Sequence, residues 1–105
     1  MFIGDGTLGE GVVYETLNLI SKWELPILIV VENNQYAQST KIENSLAGTV
    51  AGRFEAFGIK TSELSTFDCL EINSSAEKIV DSVRQTSRPQ VLILNTYRFA
   101  SHSKS

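Results

Sequence analysis

Two kinds of apolar pattern alternate along the chain. Ile27-Leu28-Ile29-Val30-Val31 and Val91-Leu92-Ile93-Leu94 are apolar without interruption, the pattern of strands buried on both faces. Elsewhere apolar residues recur at the spacing of one helix face: Val13, Leu17, Ile20 and Trp23, then Val50, Phe54 and Phe57, then Cys69, Ile72, Ala76, Ile79, Val80 and Val83. These patterns predict a strand ending at Phe2-Ile3 and further strands over Pro26–Val31, Ile59–Leu64 and Gln90–Thr96. Helices are predicted over Glu10–Lys22, Ala47–Phe57 and Asp68–Thr86. Gly4 to Gly11 reads as a tight glycine-rich turn, Asn33 to Thr40 as a polar loop, and Lys41 to Leu46 as irregular. Leu25-Pro26 breaks the first helix, Gly58 closes the second, and Ser65 and Thr66 are N-cap candidates for the third. Strands alternating with helices predict the α/β class: a parallel sheet flanked by helices on both faces.

Composition narrows this little. A chain of 105 residues holds one domain, here taken as residues 1–105, with a modest core. Its 42% hydrophobic and 20% charged residues are ordinary for a globular chain. The formal net charge of −3 gives no electrostatic case for nucleic acid. The single cysteine, Cys69, allows no disulfide within the chain and fits a reducing compartment. Its place on the apolar stripe of the third helix predicts a buried structural thiol. No signal peptide and no apolar run of membrane-spanning length is present, so the expected location is cytoplasmic, away from the membrane.

Candidate chemistry gathers at one edge of the predicted sheet. A strand–helix–strand unit sets its strands parallel, so Asp5 and Asn34 each follow the carboxyl end of a strand, where α/β sheets bind ligands. The turn contains Gly-x-Gly-x-x-Gly in Gly4, Gly6 and Gly9. Alone it is a weak dinucleotide signal. A carboxylate at Asp5, between the first two glycines, would repel a diphosphate by several kcal/mol at an intermediate dielectric unless a cation lay between them. Mg²⁺ takes hard oxygen ligands from one or two protein groups plus phosphate and water, and Asp5 with the Asn34 amide oxygen supplies that type. The plainer alternative makes Asn33-Asn34 a turn pair, since Asn tolerates left-handed backbone. His102, the only histidine, lies in a polar tail, where a solvated surface role is the plain reading. It also follows a strand whose carboxyl end falls on the same edge.

Gly4-Asp5-Gly6, spaced from Glu32-Asn33-Asn34-Gln35-Tyr36-Ala37, resembles the thiamine diphosphate motif. With Glu10-Gly11, Glu15-Thr16-Leu17-Asn18, Trp23-Glu24-Leu25-Pro26 and the end Asn95-Thr96-Tyr97-Arg98-Phe99 with His102-Ser103-Lys104, the chain resembles the α subunit of 2-oxo acid dehydrogenases over nearly its whole length. The resemblance implies a thiamine diphosphate-binding fold, incomplete here, with thiamine diphosphate and Mg²⁺ as cofactors. Gly4, Gly6 and Thr7 would offer backbone to the diphosphate. Asp5, Asn34 and the Tyr36 carbonyl would hold the metal. His102, the one catalytic candidate, would reach a phosphate, although Ser101 stands before it where the family mostly has Gly. Ser103 matches a position phosphorylated in mitochondrial relatives, and Glu15 with Asn18 matches a recurring polar pair that serves equally well as surface. The partners implied are a β subunit supplying the pyrimidine-binding domain and its glutamate, a lipoyl-bearing acyltransferase and a 2-oxo acid. The chain would be a fragment, inactive alone, with the Leu17/Ile20/Trp23 and Val50/Phe54/Phe57 stripes open to subunit contact as well as core. The alternative is a non-catalytic module, either a Rossmann-like nucleotide binder or an assembly unit.

Overall fold

A computed structural model describes residues 1–33, 36, 37, 40, 41, 48–66 and 68–95, with residues 5, 6, 36, 37, 40 and 41 described by backbone alone. In chain order the elements are β1 (Phe2–Gly4), a 3-10 turn (Asp5–Gly9), α1 (Gly11–Lys22), β2 (Leu28–Asn33), β3 (Tyr36–Ala37), β4 (Thr40–Lys41), α2 (Val50–Glu55), β5 (Lys60–Leu64), α3 (Cys69–Thr86) and β6 (Gln90–Asn95). Strands β1, β2, β6 and β5 lie side by side in that order, all parallel. β3 and β4 form a separate antiparallel pair. The apolar runs of β2 and β6 occupy the sheet centre, paired from Leu28 opposite Gln90 to Asn33 opposite Asn95.

The strand order sets the two faces. From β1 the chain steps to its neighbour β2, then past β6 to β5, and finally returns to β6. Strand–helix–strand crossovers are right-handed in about 98% of cases. The two outward steps therefore place α1 and α2 on one face, and the return step places α3 on the other. Burial agrees. Leu17 and Ile20 of α1 and Phe54 of α2 share a core cluster with Ile29, Val31, Val91 and Ile93. Val30 and Leu92 point the opposite way, where α3 packs against β2 and β6 and buries Val83. The parallel sheet with helices on both faces is the expected α/β class.

Several boundaries differ from expectation, each for a local reason. The glycine-rich turn is a short 3-10 helix. The second strand lies two residues later than Pro26–Val31, because Leu25 to Ile27 turns on a bond from Ile27 N–H to the Leu25 carbonyl, and the ladder with β6 runs on to Asn33. α1 ends before Pro26 is reached. Glu24 takes the left-handed region at φ 51, and Leu25 N–H and Glu24 N–H bond back to the Ile20 and Ser21 carbonyls, the double closure of a helix C-terminus. This leaves Trp23 63% exposed, outside the core stripe. The second helix is shorter than Ala47–Phe57, starting after Thr49, whose Oγ1 accepts from Gly52 N–H at 2.9 Å. Gly58, at φ 73, ends that region as expected. The cap of α3 is Asp68, whose carboxylate accepts from Leu70 N–H at 2.9 Å; Thr66 accepts from Asp68 N–H, and neither Ser65 nor Thr66 caps the helix itself. Cys69 is exposed, contrary to the expected buried thiol. It is the first residue of α3, and the stripe covered by the sheet begins after it, at Ile72.

Candidate functional site

The carboxyl ends of the parallel strands form one edge, and the turn after β1 is fixed there from three directions. Gly4 is extended, at φ −93 and ψ 164, and the chain enters the 3-10 turn immediately after it. Leu8 anchors the turn, fully buried in the core cluster. The Tyr14 hydroxyl, from α1, donates to the Leu8 carbonyl. Arg53 of α2 donates through Nη1 to the same hydroxyl at 2.5 Å and lies 5.7 Å from the Tyr14 ring centroid. The Tyr14 ring in turn stacks against Phe57, with centroids 6.4 Å apart. β3, which contains Tyr36, also lies against the turn.

Gly4 pairs with Glu32 across the β1–β2 ladder. Residue 5 therefore leaves its strand level with Asn33, and residue 34 follows directly. A Cβ built on Gly4 meets no heavy atom of the described residues within 4 Å, so among these residues the space beside that backbone is open. Of the expected site residues, Gly4, Asp5, Gly6 and Thr7 are on this turn, and the Tyr36 backbone is beside it. Asn34 and His102, like Ser101 and Ser103, lie outside the described residues. Glu15 and Asn18 are exposed along α1. Among the described residues no three His, Cys, Asp or Glu side chains come together as a metal site. The oxygen set expected for Mg²⁺ is of another kind, one carboxylate with an amide and a backbone carbonyl, and its amide, Asn34, lies outside the described residues.

A polar chain that the sequence reading missed crosses the same edge. Asn33, 8% exposed, donates from Nδ2 to Asn95 Oδ1 at 2.9 Å. Asn95 Nδ2 donates to Glu63 Oε1 at 3.0 Å and approaches Ser65 Oγ at 3.4 Å. Asn95 had one visible signal, an amide closing an apolar parallel strand at its carboxyl end. Glu63 had none, and Arg53 only its place beside Phe54 on an otherwise apolar helix face.

A doubly covered parallel sheet with a glycine-rich turn at the carboxyl end of its edge strand defines an α/β domain of the open-sheet class, in which ligands generally bind at that edge. The model of the Dehydrogenase E1 component family matches residues 1–105, and the chain belongs to that family. It is 35% identical over 105 residues to the pyruvate dehydrogenase E1 component subunit alpha of Rickettsia typhi, covering 99% of this chain and 32% of that protein. The Zymomonas mobilis subunit of the same name is 38% identical, with 99% and 30% covered. That of Porphyra purpurea is 40% identical over 103 residues, with 97% and 30% covered. The chain thus spans about a third of the length of these relatives. Among solved structures, Campylobacter jejuni transketolase superposes with a TM-score of 0.76 at 26% identity, over 90% of this chain and 15% of that one. Pichia stipitis transketolase with sedoheptulose-7-phosphate gives 0.74 at 26%, over 90% and 14%.

Proposed function

We propose that the chain is the diphosphate- and Mg²⁺-binding part of a 2-oxo acid dehydrogenase α subunit. The observation that carries this reading is the placement of the Gly4–Gly9 turn, open at Gly4 and flanked by β3, in a chain that the family model matches throughout. Backbone from Gly4, Gly6 and Thr7 receives the diphosphate. Asp5, Asn34 and the Tyr36 carbonyl hold the metal, and His102 reaches a phosphate. When bound, thiamine diphosphate supplies the electron sink for loss of CO₂ from a 2-oxo acid. This chain's part is to fix one end of the cofactor and to hold the cation that neutralises its charge. A carboxylate beside a diphosphate is unfavourable without a cation, so Asp5 makes binding depend on the metal.

The remaining elements of the reaction come from partners in this reading. A β subunit supplies the pyrimidine-binding domain, and a lipoyl-bearing acyltransferase takes the acyl group, with 2-oxo acid as substrate and pyruvate the choice the relatives' names favour. A cytoplasmic location belongs to the same reading. No helix among the described residues is long and apolar enough to cross a membrane.

Calorimetric titration of thiamine diphosphate in the presence of Mg²⁺ tests the assignment. Asp5→Ala abolishes metal-dependent binding and Cys69→Ala, remote in sequence from the turn, leaves it nearly unchanged. Equal losses in the two variants would refute the placement of the metal.

A further inference from the structure

The amino ends of the strands form a second edge, opposite the one that carries the Gly4–Gly9 turn. A pocket of about 480 Å³ opens there at the start of β5 and β6, beside the C-terminal ends of α1 and α3. That volume is within the range of small-molecule sites. Gln90, the first residue of β6, lines the pocket and is 4% exposed. Its Nε2 donates to Ser82 Oγ of α3 at 2.8 Å, and its amide oxygen has no hydrogen bond among the described residues. That oxygen is not sealed off, so the pocket is where it can meet a donor. Two hydroxyls lining the pocket have their hydrogens engaged elsewhere. Ser21 Oγ donates to the Phe57 carbonyl at 2.5 Å, and Thr86 Oγ1 to the Ser82 carbonyl at 2.8 Å. A hydroxyl has one hydrogen and two lone pairs, so both oxygens offer a ligand acceptors only. The C-termini of α1 and α3 add partial negative charge at the same place. These groups suit a positively charged hydrogen-bond donor.

The exposed side chains of the pocket have the opposite character. Lys60 stands opposite Gln90 across the β5–β6 ladder and has no acidic partner among the described residues. Arg88 is bonded through Nε to Glu24 Oε1 at 3.1 Å, which leaves its Nη donors for a ligand. A bare anion would suit Lys60 and Arg88 but meet acceptors within. A bare cation would suit those acceptors but face Lys60 and Arg88. We propose that this pocket binds a small zwitterion, an amino acid. Its ammonium group bonds the Gln90, Ser21 and Thr86 oxygens, and its carboxylate takes Lys60 and Arg88. None of these residues belongs to the cofactor reading, so the two stand or fall separately.

The test is a ligand titration of the full 105-residue chain, labelled with nitrogen-15 and followed by NMR. The probes, compared at equal ionic strength, are glycine and 4-aminobutanoate, which carry both charges, and butanoate and butylammonium, which carry one each. The better-fitting zwitterion is expected to bind about tenfold tighter than either single ion, the scale of one added charge-assisted contact. It is also expected to shift the backbone amides of Lys60 and Gln90. Lys60→Ala is expected to bring the zwitterion down to the affinity of butylammonium, and Lys60→Arg to restore most of the difference. Gln90→Met keeps the volume and removes the amide. It is expected to weaken the zwitterion and butylammonium alike and to leave butanoate unchanged. Should Gln90→Met not fold, the Lys60 variants decide the matter, since that side chain is exposed. A single ion binding as tightly as the better zwitterion overturns the inference. So does unchanged zwitterion affinity in Lys60→Ala, or the absence of saturable shifts at this pocket with every probe. Each of these outcomes leaves the cofactor reading in place.

Discussion

Tyr14→Phe is the most informative single change to the brace beneath the turn. The substitution removes one oxygen and keeps the ring, so the stack on Phe57 at 6.4 Å and the ring's place beneath Arg53 both persist. What goes is the hydroxyl that donates to the Leu8 carbonyl and accepts from Arg53 Nη1 at 2.5 Å. A neutral hydrogen bond contributes about 1 kcal/mol net and one to a charged group about 1.5–3 kcal/mol. Tyr14 and Arg53 are only half-buried, so water recovers part of this and the expected loss is about 2 kcal/mol. For a domain of this size that corresponds to a fall in Tm of roughly 8–15 °C. Urea unfolding followed by circular dichroism measures it, with Arg53→Met and the double variant completing a cycle. Because both changes delete the same bond, the cycle should show a coupling of at least about 1 kcal/mol, within the range for residues in one network. A loss below about 0.5 kcal/mol, the level of an ordinary surface change, or strictly additive variants, would show that the turn does not lean on α1 and α2 through this hydroxyl.

Two further outcomes are expected. Cys69, exposed at the start of α3, should react with an aromatic disulfide reagent in the folded chain about as fast as in urea; strong protection that urea abolishes would contradict its placement. The purified chain alone should not decarboxylate 2-oxo acids in a dye-reduction assay. Turnover of roughly 1 per second or more, typical of enzymes, would show that the groups assigned here to a β subunit are in this chain.

The fold was largely legible because its signals are additive along the sequence. The runs Ile27–Val31 and Val91–Leu94 admit few readings other than central parallel strands, and the third helix declared itself through repeated apolar spacing. Errors arose where one local bond decides. Pro26 looked like the helix stop, but Glu24 in a left-handed conformation ended α1 first and pushed Trp23 outward. Cys69 fitted a stripe by spacing, yet as the first residue of its helix it is exposed. The glycine-rich turn was legible as a turn from its glycines, and its place at the carboxyl edge from the strand–helix–strand order. The long-range side-chain pairs near that edge were not. Tyr14–Arg53 and Asn33–Asn95–Glu63 join residues 39, 62 and 32 positions apart, and such pairings follow from strand order, which no local pattern encodes.

The central claim is that the edge beside Gly4 takes a diphosphate only together with a divalent cation. Thermal melts of the chain in four conditions test it most directly: no addition, Mg²⁺ alone, thiamine diphosphate with a chelator, and both together. The account predicts a clear rise in Tm with both and little with either alone, since Asp5 repels the diphosphate until a cation intervenes. An equal rise from thiamine diphosphate in chelator would contradict it.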